Sequence, residues 1–172
     1  MGVVVNSIIP DIIEGKSKVH GRGAISGRHY NSGDVIADWT PTFLASRAEL
    51  PAGECVAVQV GPDHYVLGVA DGATRLMNHS CDPGAAVIIG NGKVILKAIR
   101  PINPMMEITF DYSITMQDDS FSMTCNCGAK NCRGVVREFR ALPQAVRERY
   151  EWMKVVPAYV LVGVTPANAR AG

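Results

Sequence analysis

The sequence predicts a mainly β domain with few short helices and one amphipathic helix near its C-terminus. Short valine-rich stretches recur between turn residues, an Asn-Gly pair separates two of them, and helical spacing is confined to two segments. With 172 residues and 47% hydrophobic content the chain supports one core. No internal repeat or low-complexity linker divides it.

The strands are expected at Val3 to Ile9, Asp34 to Trp39, Val56 to Val60, Tyr65 to Val69, Ala85 to Ile89, Val94 to Ile99 and Glu107 to Tyr112. Branched and aromatic residues in such runs fit a pleated, half-buried surface. Gly90-Asn91-Gly92 lies between Val87-Ile88-Ile89 and Val94-Ile95-Leu96. Asn-Gly tolerates positive φ at both turn positions, so this segment predicts a tight hairpin. A short helix is expected at Ser46 to Leu50 and a longer one after Leu142, where Pro143 suits a first helical turn. Val146, Tyr150 and Met153 then recur on one face, with Arg147, Glu148, Arg149 and Glu151 opposite. Pro166 to Gly172 is small and polar and is expected to fray.

Charge excludes some partners. Seventeen Lys and Arg against sixteen Asp and Glu leave a net charge of +1, so no bulk basic field points to nucleic acid or an anionic membrane. Met1-Gly2-Val3-Val4-Val5-Asn6 lacks the positive lead of a signal peptide, and Pro157 to Val164 is far shorter than the ~20 residues that span a bilayer. A soluble, intracellular protein is expected, cytoplasmic if its source is bacterial.

Three of the five cysteines fall in Cys125-Asn126-Cys127-Gly128-Ala129-Lys130-Asn131-Cys132, a C-x-C-x4-C run rich in turn formers. Such spacing suits a metal knuckle, and zinc favours thiolates in a tetrahedron. The alternatives are a disulfide or reduced surface thiols, and nothing in the sequence points to an oxidising compartment. A fourth ligand must come from elsewhere: Cys81, Cys55, His79, His64, His29 or His20. Cys55, alone beside an expected strand, reads as an inert, partly buried thiol.

Arg75-Leu76-Met77-Asn78-His79-Ser80-Cys81-Asp82-Pro83 resembles the R-F-x-N-H-S-C-x-P signature of SET-domain protein methyltransferases. Glu107-Ile108-Thr109-Phe110-Asp111-Tyr112 is similar to that family's E-[IL]-T-[YF]-D-Y motif, and the cysteine run falls where its post-SET segment would. Lys18-Val19-His20-Gly21-Arg22-Gly23-Ala24 resembles the family's opening K-x-x-G-x-G. Singly, each piece reads as a loop, a turn or a strand end; the specificity lies in their shared order.

The resemblance implies a SET fold, β-clip-like, with several small sheets and a knot-like C-terminal threading. It implies a SET domain over residues 1–120, a post-SET zinc segment over 121–137 and a C-terminal helix and tail over 138–172, all one globular unit. It implies methyl transfer from S-adenosylmethionine to a protein lysine, with no metal in the chemistry. Tyr112 matches the catalytic tyrosine, and Arg22, Gly23, Asn78 and His79, with Gly21, match the cofactor pocket. Cys81 joins Cys125, Cys127 and Cys132 around one structural zinc, which places His79 in the cofactor pocket instead of the metal site. Phe110 matches a Phe/Tyr position, and its missing hydroxyl leans towards products beyond monomethylation.

The chain departs from the pattern at three places. Trp39 stands at an aromatic position that is usually tyrosine, on the acceptor channel with Phe110. Indole donates one hydrogen bond and accepts none, whereas a phenol does both. Pro41 and Gly84 replace the usual glycine and asparagine, and no cysteine precedes Cys55, so the family's pre-SET cluster has no counterpart in this sequence. The chain resembles a minimal stand-alone member of the kind found in bacteria. Trp39 keeps open a small-molecule acceptor, and a cofactor-binding module without turnover is the reading from another class.

Overall fold

The computed structural model describes residues 11–40, 44–50, 57–67, 72–117, 119 and 121–162. Its nine strands among these residues form four small sheets, and none closes into a barrel. β1 (Ile12–Lys16) pairs antiparallel with β2 (Arg22–Ser26); β3 (Val35–Asp38), β7 (Lys93–Ala98) and β6 (Ala85–Gly90) make one sheet in the order β3-β7-β6. β4 (Ala57–Gly61) pairs with β5 (His64–Leu67), and β8 (Met123–Thr124) with β9 (Val135–Val136). The expected strand Val3 to Ile9 and Cys55 lie outside the described residues.

The Asn-Gly turn forms as its chemistry requires. Gly90 pairs with Lys93, leaving Asn91 and Gly92 as a two-residue loop with φ of 51° and 71°, the left-handed geometry that fits the twist of a hairpin. β6 then shows why its residues are apolar without interruption. Ala85 and Val87 enter the main core with Tyr30, Ile36, Trp39, Leu96, Ile102, Ile108 and Phe110, whereas Ala86, with half-buried Ile88, joins a second core. Strand side chains alternate faces, so a strand covered on both reads as a continuous hydrophobic run. Burying each Leu, Ile or Val there contributes roughly 1.5–3 kcal/mol.

That second core is built by the C-terminal segment. α1 (Gln144–Trp152) follows Pro143 and buries Tyr150 with Phe139, Leu142, Val155 and Val160, the last on a short α2 (Ala158–Leu161). Val146 and Met153 pack half-buried against it as the helical spacing predicts. Arg147 differs from expectation: it is half-buried, and its Nε lacks a hydrogen-bond partner among the described residues. Ser46 to Leu50 shortens to a single 3-10 turn at Arg47–Glu49, held by the Glu49 carboxylate, which accepts from Ser46 N at 2.7 Å and Ser46 Oγ at 2.8 Å.

Glu107 to Tyr112 is not a strand. Its neighbours change every one or two residues: Ile108 N donates to Ala24 O at 2.7 Å, Phe110 N to Asn78 O at 3.3 Å, and Phe110 O accepts from Ser80 N at 3.1 Å. The segment is threaded between β2, the 78–80 loop and Ala85 of β6, whose N–H donates to Thr109 O at 3.0 Å, with only isolated bridges at Glu107 and Phe110. Asp111 ends it by accepting from Ser113 N at 3.1 Å, which starts a 3-10 turn at Tyr112–Ile114. The propensity of the segment is that of a strand, but its pairing is set by three separate neighbours.

No helix of the described residues is long and apolar enough to cross a membrane.

Candidate active site and metal centre

The threaded segment brings the expected residues to one place. Asn78, in the loop before Cys81, aims its Nδ2 at Glu107 Oε1 (2.8 Å), Ser17 Oγ (3.0 Å), Arg22 O (3.0 Å) and His20 O (3.3 Å). An amide nitrogen has two hydrogens, so these four acceptors form a saturated cage around it. Glu107 Oε1 also accepts from Ser17 Oγ at 2.7 Å. A Cβ on Gly23 would lie 2.3 Å from that carboxylate oxygen, so only glycine lets β2 approach this closely. The Arg22 guanidinium faces outward to Glu14, and its backbone carbonyl is what meets the site.

His79 is almost fully buried with both ring nitrogens engaged. Its Nδ1 accepts from Tyr112 N at 3.2 Å and its Nε2 lies 3.3 Å from Cys81 Sγ. Nδ1 therefore carries the lone pair, and its 3.5 Å approach to Asp111 Oδ1 is not an ion pair. Burial, opposed by Asp111 and assisted by Arg133, lowers the imidazole pKa to about 4, in agreement with a neutral ring.

Tyr112 donates its hydroxyl to Met77 O at 2.8 Å. Burial, with the nearby Glu107 charge, pushes its pKa up to about 12, so at neutral pH it is a phenol. Its ring continues an aromatic row: Phe110 at 4.8 Å between centroids, then Trp39 at 6.1 Å from Phe110, edge to face. Trp39 is 2% exposed, and its Nε1 finds no hydrogen-bond partner among the described residues.

Cys81, Cys125, Cys127 and Cys132 converge from two distant parts of the chain, their sulfurs all within 4.8 Å of one another. Cys81 to Cys125 is 3.7 Å and Cys125 to Cys132 is 3.6 Å. A tetrahedron with zinc–sulfur bonds of about 2.3 Å has sulfur–sulfur edges of about 3.8 Å, so the donor set fits zinc. Backbone N–H groups of Arg133, Cys81 and Gly134 point at Cys81, Cys127 and Cys132 sulfurs from 3.4–3.5 Å, as donors around thiolates do. Burial pushes the Cys81 thiol up to about 11 and the Cys125 thiol higher still. At Cys127 burial is outweighed by backbone N–H groups of Cys81 and Ala129, which bring it to about 7. Binding a dication would release these protons. The histidine alternative is not favoured by the geometry, because His79 stands outside the group of four sulfurs and meets it through a 3.3 Å contact with Cys81 Sγ.

Sequence reasoning singled out every residue of the aromatic row and the cysteine cluster but passed over Glu107, Ser17, Asp111 and Arg133. Glu107 and Asp111 stand inside a quoted motif, and their signal was a carboxylate in an otherwise apolar stretch. Ser17 and Arg133 carried no such signal, since a serine before a loop and an arginine after a cysteine are ordinary surface residues.

A family profile described as the SET domain matches residues 21–113, which contains Gly21 to Gly23, Asn78, His79 and Tyr112. Curated relatives include Histone-lysine N-methyltransferase TRX1 of Oryza sativa subsp. japonica, 29% identical over 78% of this chain and 14% of the relative. Histone H3-lysine(4) N-trimethyltransferase ATX1 of Arabidopsis thaliana is 32% identical over 76% of this chain and 14% of its own length, and human Histone-lysine N-methyltransferase 2B is 29% identical over 69% and 5%. The chain thus spans a small part of the relatives it matches. Among solved structures, KRYPTONITE in complex with mCHH DNA, H3(1-15) peptide and SAH superposes with a TM-score of 0.56 at 23% identity, covering 73% of this chain and 29% of that one. Motif order, threaded segment and profile agree, and the chain belongs to the SET-domain family.

Proposed function

We propose that the chain is an S-adenosylmethionine-dependent methyltransferase acting on the ε-amine of a protein lysine inside the cell. One observation carries this reading: Asn78, Glu107 and the β2 backbone form a saturated polar cage, and Tyr112 lies across the same loop beside an aromatic row. The names of the relatives support it. S-adenosylmethionine, when bound, supplies a methyl group from a sulfonium centre.

Gly21, the Arg22 backbone, Gly23, Asn78 and His79 line the donor side, with the close approach at Gly23 holding the loop in place. Trp39 and Phe110 wall the acceptor side. A lysine amine, with an ordinary pKa of about 10.4, must shed a proton before it attacks, and an apolar wall favours its neutral form. Tyr112 is not suited to take that proton, because with its pKa raised to about 12 its oxygen already carries one at neutral pH. Its hydroxyl is committed as a donor to Met77 O, which leaves oxygen lone pairs to orient C–H and N–H groups of the reacting pair. The rate gain then comes from alignment and exclusion of water. Cys81, Cys125, Cys127 and Cys132 would hold one zinc with no open position, a structural role. The post-SET span 121–137 and the helix and tail 138–172 are parts of the same unit in this reading.

Trp39 Nε1, without a partner among the described residues, favours a second reading, in which the acceptor is a small molecule that brings a hydrogen-bond acceptor near its reacting atom. Transfer of labelled methyl from S-adenosylmethionine to lysine-containing peptides, lysate proteins and small amines separates the two. Tyr112→Phe is expected to lower kcat roughly 10²-fold or more with S-adenosylhomocysteine affinity unchanged. Bound cofactor with no transfer to any acceptor would overturn the enzyme reading.

A further inference from the structure

Asp111 adjoins Tyr112 in sequence but is 0% exposed, its carboxylate turned into the second core. Oδ1 accepts from Arg133 Nη2 at 2.8 Å and from Ser113 N at 3.1 Å; Oδ2 accepts from the Tyr150 hydroxyl at 3.0 Å. Arg133 follows the zinc-site residue Cys132 directly and also reaches Ser113 Oγ at 3.3 Å. Tyr150 lies on α1, beyond the residues that match the SET profile, and is itself fully buried. One carboxylate therefore joins the turn that carries Tyr112, the cysteine segment and the C-terminal helix.

We propose that Tyr150 is a positioning residue for the methyl-transfer site, acting through Asp111 on Tyr112 and on the Arg133 end of the cysteine segment. The inference rests on the methyltransferase reading. Its physical basis is the cost of an unmatched lone pair on a carboxylate that is 0% exposed. A buried carboxylate that loses one donor shifts to recover it. Here that shift is rotation of Asp111, which caps the Tyr112–Ile114 turn, or movement of Arg133, whose backbone N–H meets Cys81 Sγ at 3.4 Å. Either motion displaces the Tyr112 hydroxyl or loosens the segment closing over the donor side. Packing alone does not require the hydroxyl, because the ring already fills the cluster of Phe139, Leu142, Val155 and Val160.

Tyr150→Phe retains the ring and removes the donor. In the zinc-loaded full chain it is expected to lower kcat ten- to hundredfold, with zinc stoichiometry and circular dichroism unchanged and hydrogen exchange faster over residues 112–116 and 123–136. Arg133→Gln, which acts on the same carboxylate from outside the hydrophobic cluster, serves if Tyr150→Phe does not fold. Its kcat loss is then expected with zinc retained; where Tyr150→Phe does fold, the double variant is expected to lose less kcat than the product of the two single losses, since both donors act through one acceptor. A variant with kcat within twofold of the parent and a lowered Tm would overturn the proposal, leaving Tyr150 a packing residue. Should the parent transfer no methyl group, the enzyme reading falls, and the exchange measurement alone decides the tie: unchanged protection of 123–136 refutes it.

Discussion

The polar cage around Asn78 and the aromatic row that ends at Trp39 lie on either side of Tyr112 and differ in how completely they are satisfied. Asn78 Nδ2 faces four acceptors for two hydrogens, and Glu107 accepts from Ser17 and Asn78 together. Trp39 is more deeply buried than half-buried Asn78, and its Nε1 has no partner among the described residues. A buried donor without an acceptor is costly, roughly 1–3 kcal/mol, and persists where a ligand completes it. The contrast teaches that the side facing the β2 loop is complete as folded, whereas the aromatic side keeps a donor free among the described residues, and under the proposed function that donor is open to an acceptor.

The largest way to break the contrast acts on the scaffold of the complete side. Cys81 follows His79 and Asn78 in one loop, so removal of zinc by a chelator is expected to free residues 123–136 and abolish cofactor binding, given the ~10 kcal/mol or more that structural zinc contributes. Elemental analysis, limited proteolysis and S-adenosylhomocysteine titration on the same sample check it. Absence of one zinc per chain from purified protein would remove the metal centre from the account.

Asn78→Ala strikes the cage itself. Glu107 and the Arg22 carbonyl lose their shared donor, and S-adenosylhomocysteine affinity is expected to fall about tenfold or more with a stability loss of roughly 1–3 kcal/mol. Trp39→Tyr tests the opposite side and should leave that affinity unchanged. A phenol can accept as well as donate, so the ratio of activities on lysine peptides and small amines is expected to shift by roughly tenfold, read from kcat/KM on each. An unchanged ratio would show that the indole N–H takes no part in acceptor choice.

The smallest effect is on the pH profile. Tyr112, raised to about 12, contributes stability that is full below the unfolded phenol value of about 10 and is lost as pH rises through 12. Transfer to a lysine peptide is therefore expected to rise with pH as the amine deprotonates, with no fall assignable to Tyr112 below about pH 11. A Tyr112-dependent downturn near pH 9 would place its phenol in a different environment.

Much of this was legible in the residues. Asn91-Gly92 announced its hairpin because two positive φ angles in succession admit few other residues. The cysteine spacing announced a metal knuckle because three soft ligands in so short a loop have few other uses. Glu107 to Tyr112 was misread because its composition is that of a strand, and composition does not reveal that its partners come from three places. β1, with Glu14, Gly15 and Lys16, was invisible to propensity and forms because β2 supplies the buried face. Asp111 was passed over for the same reason: its partners Arg133 and Tyr150 lie 22 and 39 residues away.

By itself the sequence determined the family, the mainly β class, the hairpin and the identity of the residues that meet at the site, since these depend on local chemistry and on motifs read in order. Only the tertiary structure decided that Trp39 buries a donor with no partner among the described residues, that Asn78 is caged by four acceptors, and that Tyr150 reaches the carboxylate beside Tyr112. Hydrogen bonds and metal contacts join residues by distance in space, and folding alone sets that distance.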